Sequence, residues 1–156
     1  MPLLAAVVAI VDQGIKYYIQ SYMVLGMSIP VITGAFHITY IVNPGAAFGL
    51  LAYQTKLLVA VVIIMLLAWL YYYRRIETGH WLLRLGVGLV AGGAAGNVID
   101  RLKTGNVVDF LDFRIWPIFN FADITIVVGM GCLIYTMLML NNTMPGSSTE
   151  RSEKEA

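Results

Sequence analysis

The stretch that decides the fold is Leu57–Tyr73, LLVAVVIIMLLAWLYYY, an uncharged run flanked by Lys56 and by Arg74-Arg75. A helix that crosses the hydrocarbon core of a bilayer needs roughly 20 mostly apolar residues, and basic flanks mark its ends. The whole chain agrees with this interpretation, because 59% of its 156 residues are apolar and only 12% are charged. Soluble domains carry about 25% charged residues. We therefore predict an integral membrane protein.

Three further apolar stretches predict that the chain crosses the membrane four times. The first is interrupted by Asp12 and Lys16, which makes it the weakest of the four patterns. The predicted single domain, residues 1–140, has spans at about 2–22, 55–73, 82–100 and 120–140, with extracytoplasmic loops at about 23–54 and 101–119. The Lys and Arg count slightly favours a cytoplasmic hairpin between spans two and three. The polar tail, residues 141–156, is then cytoplasmic and expected to be disordered.

The first long loop contains a pattern with a period of two. Phe36, Ile38, Tyr40 and Val42 alternate with the side chains between them, which predicts a β-strand. The turn signal Asn43-Pro44-Gly45 follows directly.

Because spans alternate in direction, most polar residues of the spans and loops meet at one end of the predicted bundle. The other end offers only a short basic hairpin and the tail. This clustering, which follows from order along the chain, predicts a functional site formed by Asp12, Lys16, Asn43, Asn97, Asp100, Arg101, Asp109, Asn120 and Asp123.

The acids of this cluster are costly in an apolar setting, so they indicate function. Asp109 and Asp123, if they meet, could share one proton in the manner of aspartic proteases. Asp109 and Asp112 lie in a near-repeat, and composition alone does not choose between them. Asp123 lies in the first turn of span four, where the helix dipole favours an anion. Asn120 already supplies a helix cap there, so Asp123 lacks a purely local reason.

Other polar and small residues admit two interpretations. Asp12 and Lys16 are four residues apart, which suits a structural ion pair, although Lys16 could instead bind a substrate. Asn97 and Arg101 either bond neighbouring helices or line a polar cleft. A stripe of small residues, which lets another helix approach closely, is formed by Gly88, Gly92 and Gly96.

Several classes of function are not indicated. The formal net charge is +1, so no basic surface suggests nucleic acid. The sequence shows no set of residues with metal-ligand spacing, and we expect neither a metal site nor another cofactor.

Five motifs in order resemble the lipoprotein signal peptidases of bacteria, the type II signal peptidases, over nearly the whole chain. They are Asp12-Gln13 with Lys16, Asn43-Pro44-Gly45-Ala46-Ala47-Phe48-Gly49, Gly96-Asn97-Val98-Ile99-Asp100-Arg101, Val107-Val108-Asp109-Phe110 and Phe119-Asn120-Phe121-Ala122-Asp123.

The resemblance implies an α-helical membrane protein of four transmembrane helices with a small extracytoplasmic β-sheet. It implies an aspartic endopeptidase of the bacterial cytoplasmic membrane that cuts prolipoproteins just before a diacylglyceryl-modified cysteine, on the outer side. Membrane lipids and globomycin-type inhibitors are its further implied partners. The catalytic pair falls on Asp109 and Asp123, substrate binding or its support on Asn43, Gly45, Asn97, Arg101 and Asn120, and structural support on Asp12, Lys16 and Asp100.

Two other functions compete with this interpretation. A proton-coupled carrier would use Asp12, Asp109 and Asp123 as a relay, but a relay needs ionisable groups spaced across the membrane. A non-catalytic membrane scaffold would tolerate Asn at both acids. An assay of the purified protein on a lipid-modified precursor distinguishes the three.

Overall fold

The computed structural model describes residues 1–45, 54–77 and 79–142. Four helices are long and apolar enough to cross a membrane. They are α1 (Pro2–Tyr22), α2 (Thr55–Glu77), α3 (Trp81–Thr104) and α4 (Phe121–Asn142), and a small sheet of three strands accompanies them: β1 (Ser28–Ile32), β2 (Phe36–Asn43) and β3 (Val107–Asp112). The predicted fold class is confirmed. Motif residues 46–49 and tail residues 143–156 lie outside the described residues.

Helix α3 occupies the centre of the bundle and packs against the other three helices. Its small residues allow this, because Gly88 lies against Leu4 and Gly92 against Val8 of α1. The predicted close approach along this glycine stripe is confirmed, and the partner helix is α1. The opposite face of α3 meets α4, where Gly93 lies against the backbone of Ala122. Helix α2 packs only loosely and leaves its apolar side chains exposed, as expected of a helix that faces lipid.

A glycine follows the last residue of α3, and an asparagine cap precedes the first residue of α4. Helix α3 ends at Gly105, whose φ of 80° is a left-handed conformation that favours glycine. Helix α4 begins after Asn120, whose Oδ1 accepts a hydrogen bond from the Asp123 backbone N–H at 3.0 Å. The predicted cap at Asn120 is therefore confirmed.

The three strands form an antiparallel sheet in the order β1-β2-β3. The alternating pattern correctly predicts β2, and the sequence shows no comparable signal for the other two strands. Strand β3 is buried along nearly all its length, which removes the alternation of polar and apolar residues. Strand β1 is exposed throughout and contains Pro30, which is tolerated because β1 is an edge strand.

The sheet is attached to the end of the bundle by a small apolar core. Ile19 and Met23, at the end of α1, pack with Val108 and Phe110 of β3. The core attaches β3 to the end of α1, and the chain connects β3 to the end of α3 on one side and the start of α4 on the other. The position of β3 is therefore fixed relative to these three helices. The side chains of β3 thereby reach the polar end of the bundle.

Candidate active site

The two acids singled out as a pair lie at the same end of the bundle and enter one hydrogen-bond network. Asp109 is carried by β3 and is 2% exposed, whereas Asp123 lies in the first turn of α4 and is partly exposed. Asn120 donates to Asp109 Oδ1 at 2.7 Å and to Asn97 Oδ1 at 3.1 Å, and Asn97 donates to Asp123 Oδ1 at 2.8 Å. Two amides therefore link the carboxylates.

All four carboxylate oxygens of Asp109 and Asp123 accept a hydrogen bond. The second oxygen of Asp109 accepts from Asn43 Nδ2 at 2.9 Å, and the second oxygen of Asp123 accepts from the Asn120 backbone N–H at 3.2 Å. These bonds hold the two groups in fixed positions. Each oxygen still has a lone pair for a proton or a water molecule.

The backbone fixes the orientation of two amides in the network. Asn120 Oδ1 accepts from the backbone N–H of Asp123, and Asn43 Oδ1 accepts from the backbone N–H of Gly45 at 3.0 Å. A backbone N–H can only donate, so the amide nitrogens of Asn120 and Asn43 must face Asp109. The site is therefore a set of donors directed at the carboxylates.

The environment of Asp109 raises its affinity for a proton. Burial raises the pKa of Asp109 to about 6, and the nearby charge of Asp123 adds to the rise, whereas the hydrogen bonds from Asn43 and Asn120 oppose it. A carboxyl group that holds a proton near neutral pH can serve as a general acid.

The argument that Asp123 lacks a local reason is wrong. Its Oδ2 accepts from the backbone of Asn120 while Asn120 caps Asp123 in return, which is a reciprocal capping box. Asp123 therefore stabilises the start of α4 with one oxygen. Its other oxygen points to Asn97, away from the cap.

The two acids of the near-repeat in β3 have different partners. Asp112 accepts from Thr39 Oγ1 at 2.8 Å and pairs with Arg114 at 3.0 Å, away from Asp123. Burial tends to raise the pKa of Asp112, but the bonds from Thr39 and Arg114 outweigh it and lower that pKa. Asp112 is held ionised as a structural anchor of the sheet.

Arg101 and Gly45 belong to one contact. Arg101 Nη2 donates to the Gly45 carbonyl oxygen at 2.6 Å, and Nη1 reaches the Asn97 carbonyl at 3.3 Å. The guanidinium thus attaches the turn after β2 to the end of α3. Asn43 is the last residue of β2 and accepts from the Gly45 backbone, so Arg101 also supports the position of a donor to Asp109.

The predicted structural ion pair between Asp12 and Lys16 of α1 is present, and a second acid, Asp100 of α3, joins it. Lys16 Nζ lies 2.8 Å from Asp12 Oδ2 and 2.8 Å from Asp100 Oδ2. Asp12 also accepts from the backbone N–H of Ala122 at 3.0 Å, so a side chain of α1 caps α4. The alternative in which Lys16 is free to bind a substrate does not fit, because its side chain is 2% exposed.

Sequence reasoning assigned no role to Gln13, although its neighbour Asp12 was singled out. Gln13 Nε2 donates to Asp100 Oδ1 at 2.6 Å and to the Gly96 carbonyl at 3.2 Å. The only signal in the sequence was an amide inside an apolar span. Among the described residues, no group of three or more His, Cys, Asp or Glu could hold a metal ion.

Comparison with known proteins gives a consistent result. A family model described as Signal peptidase (SPase) II matches residues 4–139. The lipoprotein signal peptidase of Pelotomaculum thermopropionicum is 50% identical over 149 residues, 96% of this chain and 97% of that protein. The lipoprotein signal peptidase of Moorella thermoacetica is 49% identical over 137 residues, 88% of this chain and 91% of that protein.

Two solved structures, both described as bacterial membrane enzymes studied by the in meso method, share the fold. One has a TM-score of 0.86 at 34% identity and covers 95% of this chain and 93% of its own. The other has a TM-score of 0.78 at 37% identity and covers 87% and 90%. The chain is a multi-pass membrane enzyme of the aspartic peptidase class. Within that class it belongs to the signal peptidase II family.

Proposed function

We propose that this enzyme removes the signal peptide from diacylglyceryl-modified prolipoproteins and hydrolyses the amide bond just before the lipidated cysteine. The observation that carries the proposal is the pair Asp109 and Asp123, held at one end of the bundle by a shared network of amide donors. The names of the relatives support the substrate class.

The proposed chemistry divides one proton between the two carboxylates. The ionised member takes a proton from water, and the resulting hydroxide attacks the scissile carbonyl carbon while the protonated member donates to the carbonyl oxygen. The member that took the water proton then gives it to the leaving nitrogen, while the member that is now ionised takes a proton from a hydroxyl group of the intermediate. The C–N bond breaks, a carboxyl group and an amine form, and the pair returns to its starting state. Because the proton belongs to the pair, neither role is assigned to one residue alone.

The other polar residues act as supports in this proposal. Asn43, Asn97 and Asn120 orient the carboxylates, and Arg101 holds the turn at Gly45 beside them. Asp12, Lys16 and Asp100 join α1 to α3 and α4 beneath the pair. The chemistry as written needs no metal or other cofactor.

The proposed cellular setting is the bacterial cytoplasmic membrane, with the carboxylate pair on the outer side. The basic hairpin at the opposite end, which includes Arg74, Arg75 and Arg84, supports this orientation. In this setting residues 1–140 act as a single four-span domain in contact with membrane lipids. Globomycin-type cyclic peptides are the expected inhibitors.

The deciding experiment compares three isosteric variants of the purified enzyme on a lipid-modified precursor in detergent. Asp109→Asn and Asp123→Asn should each abolish cleavage while inserting and folding normally, because a pair that shares one proton needs two titratable groups. Asp112→Asn is the matched control from the same strand and should retain substantial activity. Near-normal turnover of either Asp109→Asn or Asp123→Asn would refute the assignment and reopen the carrier and scaffold alternatives.

A further inference from the structure

The buried ammonium group of Lys16 has three polar neighbours. Nζ lies 2.8 Å from Asp12 Oδ2 and 2.8 Å from Asp100 Oδ2 as ion-pair contacts, and it donates a hydrogen bond to Asn97 Oδ1 at 3.0 Å. The two carboxylates alone would satisfy a structural ion pair. The third bond, to an amide that contacts Asp123, calls for another explanation.

Asn97 receives two donors on the same oxygen. Lys16 Nζ and Asn120 Nδ2 both donate to Asn97 Oδ1, at 3.0 and 3.1 Å. An ammonium group can only donate, so the amide nitrogen of Asn97 must face the opposite way, towards Asp123 Oδ1 at 2.8 Å. The orientation of the donor to Asp123 is thus set from α1.

We propose that Lys16 is a positioning residue of the peptidase, which acts through Asn97 to hold the carboxylate of Asp123 in register with that of Asp109. The inference rests on the proposed function, since it gives Lys16 a part in the same reaction. Lys16 touches no reacting atom. Its contribution is to pre-organise the pair, for which displacements of about 1 Å cost roughly a hundredfold in rate.

The charge of Lys16 also acts on the pair. The charged groups that face this region are Asp12 of α1, Asp100 and Arg101 of α3, Asp109 of β3 and Asp123 of α4. Tyr17 and Lys103 line a small cavity together with Lys16. Burial dominates the raised pKa of Asp109, and the positive charge of Lys16 lowers that pKa. Loss of the charge should therefore let Asp109 keep its proton to higher pH.

The test is a steady-state analysis of Lys16→Met/Asp100→Asn, which removes one positive and one negative charge together so that no new net charge is buried. We expect kcat to fall roughly ten- to hundredfold with KM within about twofold, and the alkaline limb of the pH profile to stay close to that of the wild type because the two removed charges are opposite in sign. Lys103→Gln is the matched control, because Lys103 is an exposed lysine at the same end of α3 that bonds only Gln13 among these groups. Lys103→Gln should keep both kcat and the pH profile.

A purely structural role would give a different result. It would lower the melting temperature and the yield of folded enzyme but leave kcat per folded molecule unchanged, and that outcome overturns the inference. If the double variant is not recovered folded, Lys16→Arg decides. Arg keeps the charge but not the geometry, so kcat should fall while the alkaline limb stays in place, and a wild-type kcat would overturn the inference.

The same assay separates this inference from the function on which it rests. Activity that survives Asp109→Asn or Asp123→Asn removes the proposed function. Activity that is lost in those variants but unaffected by the Lys16 substitutions leaves the function intact and removes only the role of Lys16.

Discussion

At the scale of single residues, Asp109, Asp112 and Asp123 differ in their hydrogen-bond and ion-pair partners. Asp109 receives two amide donors in a buried position, Asp123 shares its oxygens between a helix cap and Asn97, and Asp112 is paired with a hydroxyl group and a guanidinium. The pKa of Asp109 is therefore raised while that of Asp112, in the same strand, is lowered.

The pH dependence of cleavage follows from the burial of Asp109. Its pKa is raised to about 6, so the protonated fraction of Asp109 falls as the pH rises through that value. We expect kcat/KM to decline above about pH 6, because the pair then loses its donor proton.

The hydrogen bond from Asn43 lowers the pKa of Asp109, and the variant Asn43→Ala removes it. The alkaline limb of the kcat/KM profile of this variant should therefore lie at higher pH than that of the wild type. The measurement is kcat/KM against pH for both proteins. A limb that moves to lower pH in Asn43→Ala would contradict the assignment.

Asp112 should matter for stability rather than for chemistry. Burial tends to raise the pKa of Asp112, but the bonds from Thr39 and Arg114 outweigh it, so the pKa is lowered. The contribution of Asp112 to the free energy of unfolding is therefore fully present above the usual Asp pKa. It is lost as the pH falls through the lowered pKa. Asp112→Asn should cost about 1 kcal/mol at neutral pH, a modest figure because Arg114 is half-exposed. Thermal unfolding in detergent at pH 7 and pH 3 tests this, and the difference from wild type should shrink at pH 3.

At the scale of elements, a register shift in the sheet separates the two acids of the near-repeat. Asp109 and Asp112 are three residues apart in β3, so they point to opposite faces, whereas their partners Asn43 and Thr39 are four apart in β2. The pairing is possible because the register of β2 shifts between Ile38 and Ile41. An extra residue at such a bulge reverses the alternation of faces.

The contact between α1 and α3 depends on the absence of a side chain at Gly92. A Cβ atom there would lie 2.6 Å from Val8 Cβ and 2.7 Å from the Ala5 carbonyl oxygen. Since the backbone oxygen cannot move independently, Gly92→Ala should force α1 outwards and lower stability by roughly 1–3 kcal/mol.

The control for this prediction is Gly131→Ala on α4, where an added Cβ meets nothing within 4 Å. The melting temperature in detergent should fall for Gly92→Ala and stay constant or rise slightly for Gly131→Ala. Equal melting temperatures in the two variants would contradict the packing argument.

At the scale of the whole molecule, the described structure offers little mass outside the spans with which to hold a peptide. Outside the helices, the regular structure of the described residues is one small sheet, and its edge strand β1 is exposed. Binding energy for a membrane substrate should therefore come largely from its acyl chains, which contribute about 0.8 kcal/mol per buried CH₂. The lipid would also set the depth of the scissile bond relative to Asp109 and Asp123.

We accordingly expect cleavage to depend on the diacylglyceryl group. The same precursor, with and without the lipid and at equal concentration, should differ in kcat/KM by orders of magnitude, because a few peptide hydrogen bonds contribute only about 1 kcal/mol each. Comparable values for the two forms would exclude positioning by the lipid.

The sequence alone determined the membrane class, the four spans, the strand β2 and the gathering of polar residues at one end of the bundle. These features follow from hydropathy, from residue spacing and from the alternating direction of successive spans. The cap at Asn120 and the ion pair of Asp12 with Lys16 were also predictable, because both partners lie within one helical turn.

Only the tertiary structure decided which partners each acid has. Asn43 and Asp109 are 66 residues apart in the chain, and Asp12 and Ala122 are 110 apart. Contacts over such separations depend on how helices and strands pack, which local patterns do not encode. The same holds for β3 and for the shift in β2, since a strand buried on both faces loses its alternation and a bulge has no fixed sequence signature.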